Sequence, residues 1–145
     1  MTVFELSDFY DYCKKNDVML IPYEGMPSPG MTRHDRGKDA IFLDFSQIPT
    51  TKLLRGICCH EMSHIATGAL HKAGSPYELI ERSEYRANRH TAQTVLTKKA
   101  FQEAFDLGLR ELWELSEYFE LPEADIQKAL TYWTQRRNTT FRIEN

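Results

Sequence analysis

Nowhere in the 145 residues is there an apolar run near the length of roughly 18 that a membrane helix needs, so the sequence predicts no transmembrane segment. Glycine and proline are sparse, seven and six, which excludes a collagen-like or low-complexity chain. Cysteine is rarer still: Cys13, Cys58 and Cys59. An odd set with two adjacent members is not a disulfide framework. Neighbours on a helix point about 100° apart and do not bridge easily. Reduced thiols in a cytoplasmic protein are therefore expected, with Cys58 as a small core residue. The opening stretch Met1 to Lys15 carries Glu5, Asp8 and Asp11 and lacks the basic start and apolar block of a secretory signal. The triplet Asn138-Thr139-Thr140 is accordingly expected to carry no glycan. Positive charge is not in excess: 18 Lys and Arg face 21 Asp and Glu, a net charge of −3. That balance argues against nucleic-acid binding as the main activity. Internal repeats and linkers are absent too.

What is there fits one ordinary soluble domain of 16.9 kDa, with 41 % apolar and 27 % charged residues. Val3, Phe4, Leu6, Phe9, Tyr10 and Cys13 repeat at helical spacing, and Asn16-Asp17 ends that segment. Val18 to Ile21 reads as a short strand stopped by Pro22, followed by a turn-rich loop from Glu24 to Gly30. Ala40 to Leu43 reads as a second strand, and Met31 to His34 as a third that pairs with it. Short connections predict a small antiparallel sheet. From Thr50 onward the pattern is helical. Thr50 or Thr51 caps a helix reaching about Leu70, Gly74-Ser75-Pro76 breaks it, and a second helix runs from Tyr77 to about Leu96. Lys98 to Leu107, Arg110 to Phe119 and Pro122 to about Arg136 complete the series. The predicted class is α+β, mostly helical, with the sheet packed on the first long helix and a C-terminal helical bundle behind.

The strongest chemical signal is His60-Glu61-Met62-Ser63-His64. Imidazoles at i and i+4 lie about 40° apart on one helix face and can hold one Zn²⁺ from the same side. Glu61 then stands beside the metal, placed to take a proton from water. Leu53, Leu54, Ile57, Cys58, Ile65 and Ala69 mark the apolar face, and the two histidines continue its edge. They are expected to face inward, where a pair of histidines with no shared partner would be costly.

A catalytic zinc needs a third protein ligand and one open position. Two residues qualify. His71 would complete a near-match to the metzincin pattern, but the interval to Gly68 is one residue too long, and no methionine follows Met62 to form a Met-turn. Glu84 is the other. It shares a stripe with Tyr77, Ile80, Ala87, Thr91 and Val95, where a carboxylate is expensive unless paired or bound to metal. An ion pair with Arg55 or Arg82 would be the ordinary way to satisfy it.

The run Glu84-Tyr85-Arg86-Ala87-Asn88-Arg89-His90-Thr91-Ala92, following His60-Glu61-Met62-Ser63-His64, resembles the ImmA/IrrE family of zinc metallopeptidases in its phage and mobile-element versions. The resemblance extends over roughly Phe4 to Trp133 and departs at His90 and Thr91, where the family more usually has an aromatic residue and alanine. It implies a zincin-like, gluzincin-like active-site helix in a single metallopeptidase domain. In that domain 1–48 form a helix and small sheet, 49–97 the zinc-binding helix pair, 98–136 the C-terminal helices and 137–145 a tail. It further implies one catalytic Zn²⁺ on His60, His64 and Glu84, with Glu61 as general base and later proton donor. Asn88 is placed to support a ligand, and Tyr85, His90, His71 and His34 are possible oxyanion partners. The implied substrate is a helix-turn-helix repressor encoded nearby, with no direct binding of nucleic acid or membrane.

A toxin-linked factor of similar chemistry is one alternative, and a reading of a different class is a non-proteolytic interaction module stabilised by zinc. Glu61 argues against it, because a structural site needs no acid–base group beside a ligand and usually fills four positions with Cys and His. Cys59, about 100° around the helix from His60, would be a poor fourth ligand. The segment Arg110 to Leu130 faintly suggests a helix-turn-helix. It holds six acidic residues against two basic ones, the wrong sign for phosphate. A helical hairpin closing the core, and offering a docking surface, is the expectation there.

Overall fold

The computed structural model describes residues 3–68 and 77–143. The chain is α+β and mostly helical. Helix α1 (Leu6–Lys15) leads into strands β1 (Val18–Pro22), β2 (Gly30–Asp35) and β3 (Lys38–Leu43). A single 3₁₀ turn (Phe45–Gln47) precedes α2 (Thr51–Thr67), and α3 (Tyr77–Thr94), α4 (Lys98–Asp106), α5 (Leu112–Phe119) and α6 (Glu123–Thr131) follow. A π turn at Tyr132–Arg136 ends the regular structure. No helix among the described residues is long and apolar enough to cross a membrane.

The sheet order is β1-β3-β2, and here the expected antiparallel sheet needs correction. β2 and β3 pair antiparallel, from Gly30↔Leu43 to Asp35↔Lys38. β1 and β3 run parallel, from Val18↔Asp39 to Pro22↔Leu43. The cause is the loop after Pro22, which carries the chain to the outer edge before β2 begins. A tight turn at Arg36 (φ 52°) and Gly37 (φ 77°) then folds β3 back into the centre. The route from β1 to β3 includes β2 itself, so it is long enough for a parallel return.

Asp44 holds that loop in place. It is 1 % exposed and accepts hydrogen bonds from the backbone N–H groups of Gly25 (3.0 Å), Met26 (3.1 Å) and Ser46 (3.1 Å). The Ser46 hydroxyl and Gln47 Nε2 donate as well. These donors, the Ser46 and Gln47 side chains foremost, hold its carboxyl well below the usual carboxylate range.

α2 starts where the sequence signals it: the Thr50 hydroxyl accepts from Leu53 N–H at 3.1 Å. It stops earlier than expected, at Thr67, because Gly68 takes a left-handed conformation (φ 65°) that ends the helix. The predicted break at Gly74-Ser75-Pro76 lies outside the described residues.

Two glycines let other elements press onto α2. A Cβ on Gly30 would stand 2.5 Å from Ile57 Cγ2, so β2 lies directly against the helix. A Cβ on Gly56 would stand 2.5 Å from Asp125 Oδ2 and 2.8 Å from Pro122, so the start of α6 lies on the opposite approach. The core joins Phe9, Ile41, Cys58, Leu96, Phe101, Phe119, Leu121 and Ile126, all fully buried. Burying each large side chain contributes about 1.5–3 kcal/mol before entropy is counted. The α5–α6 hairpin closes this core through Leu115, Phe119, Leu121 and Ile126, as its pattern predicts. Trp133 Nε1 donates to Leu96 O at 2.9 Å and ties the π turn to the end of α3.

Candidate metal centre

α2 presents His60 and His64 one turn apart, and α3 packs alongside and brings Glu84 to both. His60 Nε2 lies 2.9 Å from Glu84 Oε2, His64 Nε2 lies 3.1 Å from Glu84 Oε1, and the two nitrogens are 3.1 Å apart. All the donor atoms lie within 4.8 Å of one another, and the group could hold a metal ion. The geometry fits one. An ion about 2.0–2.1 Å from each ligand in a tetrahedron separates neighbouring ligand atoms by about 3.3 Å. His64 is buried, His60 is partly covered, and the Glu84 side chain is 41 % exposed. The hydrogen bonds from His60 and His64 hold the Glu84 carboxyl well below its ordinary range, against a smaller opposing effect of burial. Glu84 is thus ionised at neutral pH, the form in which a carboxylate can bind a metal.

Of the two ordinary ion-pair partners that the sequence offers, Arg55 is engaged elsewhere, its Nη1 3.6 Å from Glu120, and the ion pairs of Glu84 are with His60 and His64. Neither Cys58 nor Cys59 joins the metal-ligand group. Burial pushes both thiols up to about 12, so at neutral pH they stay protonated. Among the described residues the centre therefore has three protein donors and no fourth, the arrangement that leaves a position for water and substrate. His71, the competing third ligand, lies outside the described residues.

Glu61 is buried beside the ligands but is not one of them. Its Oε2 accepts a hydrogen bond from the Thr32 hydroxyl at 2.7 Å, so β2 fixes the carboxylate. The other sequence candidates disperse. Asn88 borders a small cavity beside His60. Tyr85 is exposed, with the guanidinium carbons of Arg89 and Arg136 at 5.9 and 5.2 Å from its ring centre. His90 turns to Ser63, its Nδ1 3.2 Å from the hydroxyl, and burial lowers its pKa. His34 pairs with Asp39 at 2.7 Å on the β2–β3 hairpin. None of these four joins the cluster of His60, His64 and Glu84.

Three residues near the centre escape sequence reasoning. Thr32 holds Glu61. Ser83 is buried with its hydroxyl 3.4 Å from His64 Nδ1. Asp125 reaches α2 at Gly56. The place of Ser83 directly before Glu84 was a usable signal. Thr32 and Asp125 come from distant parts of the chain and carried none. Comparison with known proteins finds no match to the chain among family models, curated proteins or solved structures.

Proposed function

We propose that this protein is a zinc-dependent endopeptidase of the ImmA/IrrE type, acting in the cytoplasm on a specific partner, a helix-turn-helix repressor encoded nearby. The observation that carries the reading is the convergence of His60, His64 and Glu84 with the buried carboxylate of Glu61 alongside. Two imidazoles and one carboxylate suit zinc, and the open fourth position suits hydrolysis. When bound, zinc would supply Lewis acidity, acidifying water and polarising the scissile carbonyl. His60, His64 and Glu84 would hold it. Thr32 engages one oxygen of Glu61 and sets the carboxylate's direction, leaving Oε1 to accept the proton from the attacking water. The same carboxylate then passes that proton to the leaving amine, so one residue serves as base and acid. A structural zinc module would have no use for this carboxylate, which is why the enzyme reading is preferred over the interaction module.

The test is incubation of the zinc-supplied protein with the repressor encoded beside it, followed by mass spectrometry of the fragments. Glu61→Gln, which keeps the shape and removes the base, should retain zinc and lower the cleavage rate by about 10²–10⁴-fold. Cleavage at equal rates by wild type and Glu61→Gln, or zinc-loaded wild type leaving both the repressor and unfolded polypeptides intact, would contradict the proposal.

A further inference from the structure

His60 uses one side of its ring for the metal cluster. Its Nε2 faces His64 and Glu84 at 3.1 and 2.9 Å. For Nε2 to offer a lone pair, the proton of the neutral ring must sit on Nδ1, and that tautomer is set by whatever accepts the Nδ1–H bond. Helical side chains lean over the turn that precedes them. The residue one turn before His60 is Gly56, and the atom lying on its bare backbone is Asp125 Oδ2, 2.5 Å from where a Cβ would be. The two residues also border one cavity of about 20 Å³, with Asn88 and Thr91 on its α3 side. A single water needs roughly 10–15 Å³ and two to four polar partners. Among the described residues no protein group donates a hydrogen bond to the Asp125 carboxylate. The half-buried carboxylate is therefore left to water or to an imidazole N–H.

We propose that Asp125 is a positioning residue for His60, receiving its Nδ1–H through a single water in the shared cavity and so turning Nε2 toward the metal. The inference rests on His60 being a metal ligand. It gives the C-terminal hairpin a part in the centre although that hairpin supplies no ligand, and it gives Gly56 a reason: any side chain there would push the carboxylate away from the histidine.

Zinc affinity, measured by competition with a chromophoric chelator, tests this for wild type, Asp125→Ala and Asp125→Asn. Two companion measurements are the melting temperature of the metal-free proteins and ¹⁵N-edited NMR of the histidine rings. Asp125→Ala should bind zinc about 10–100-fold more weakly. Its metal-free melting temperature should not fall, since the carboxylate has no protein donor to lose. Asp125→Asn, whose amide oxygen still accepts, should recover part of the affinity. The His60 Nδ1–H signal of the zinc-loaded protein should be present in wild type and displaced in both variants. Zinc affinity of Asp125→Ala within about twofold of wild type would overturn the inference while leaving the metal centre standing. If Asp125→Ala does not fold, an unmoved His60 signal and unchanged affinity in Asp125→Asn would overturn it. Failure of wild type itself to bind zinc would remove the metal reading and this inference together.

Discussion

Two carboxylates in this molecule are pushed toward ionisation by hydrogen bonds, and they differ in what those bonds leave undone. Asp44 is enclosed by donors that carry their own protons: backbone N–H groups of Gly25, Met26 and Ser46, the Ser46 hydroxyl and the Gln47 amide. Its shell is complete, and its work is to fix a loop. Glu84 is held only by two imidazole nitrogens that are themselves 3.1 Å apart. Each imidazole donates to Glu84 from Nε2, the same atom whose lone pair a metal would use, and a cation among the three atoms would take the place of those protons. Both sites depress a pKa, yet only one could hold an ion. The identity of the donors, not the size of the shift, distinguishes a finished structural site from one that could hold an ion.

Substitution separates the two sites most strongly. Asp44→Ala orphans several donors at once and should lower the melting temperature by on the order of 10 °C, with zinc binding by any folded protein intact. Glu84→Ala should do the opposite, abolishing tight zinc binding while moving the metal-free melting temperature little. Its half-exposed pairs with His60 and His64 are worth only about 0–1 kcal/mol in water. Calorimetry of both variants with and without zinc checks the crossing pattern. Loss of zinc in Asp44→Ala at full stability would break the comparison.

Acid gives a smaller effect with a definite sign. The Asp44 pKa is lowered in the folded protein from an ordinary value of 3.8. Between those two values the unfolded chain binds more protons, so stability rises with pH. The contribution of Asp44 is therefore complete above about pH 5 and lost as pH falls below 3.8 through the folded value. The melting-temperature gap between wild type and Asp44→Asn should hold steady from neutral pH to about 5 and narrow below 3.8. A gap unchanged at pH about 3 would contradict the assignment.

The smallest effect concerns the thiols. Burial raises Cys13 to about 11 and Cys58 and Cys59 to about 12. Native protein treated with iodoacetamide at neutral pH should gain almost no mass, whereas unfolded protein takes up label at all three cysteines. Rapid native labelling of Cys59 would reopen a role for it near the metal.

Much of the centre was legible because its signals are local. Thr50 as a cap, His60 and His64 at one-turn spacing, and Glu84 on an otherwise apolar stripe depend on helical periodicity, which survives folding. The end of α2 was misplaced at about Leu70, although Gly68, which takes the left-handed conformation, marks it in the chain. The parallel pairing of β1 with β3 was not legible. It depends on where a loop pinned by Asp44 delivers β2, and that pinning uses residues on both sides of the sheet. Asp125 was hidden for a related reason. By charge it belongs to the acidic face of the hairpin, and only the contact of α6 with Gly56 brings it to the cavity that His60 also borders. Thr32 meets Glu61 because β2 lies on α2, a contact that strand alternation does not encode.

The central claim is that His60, His64 and Glu84 form a zinc centre. Its most direct test is the zinc content of purified protein by elemental analysis, for wild type, Glu84→Ala and His71→Ala. The account predicts about one zinc in wild type and in His71→Ala, and almost none in Glu84→Ala. Zinc retained by Glu84→Ala and lost from His71→Ala, or no zinc in wild type even after it is supplied, would contradict it.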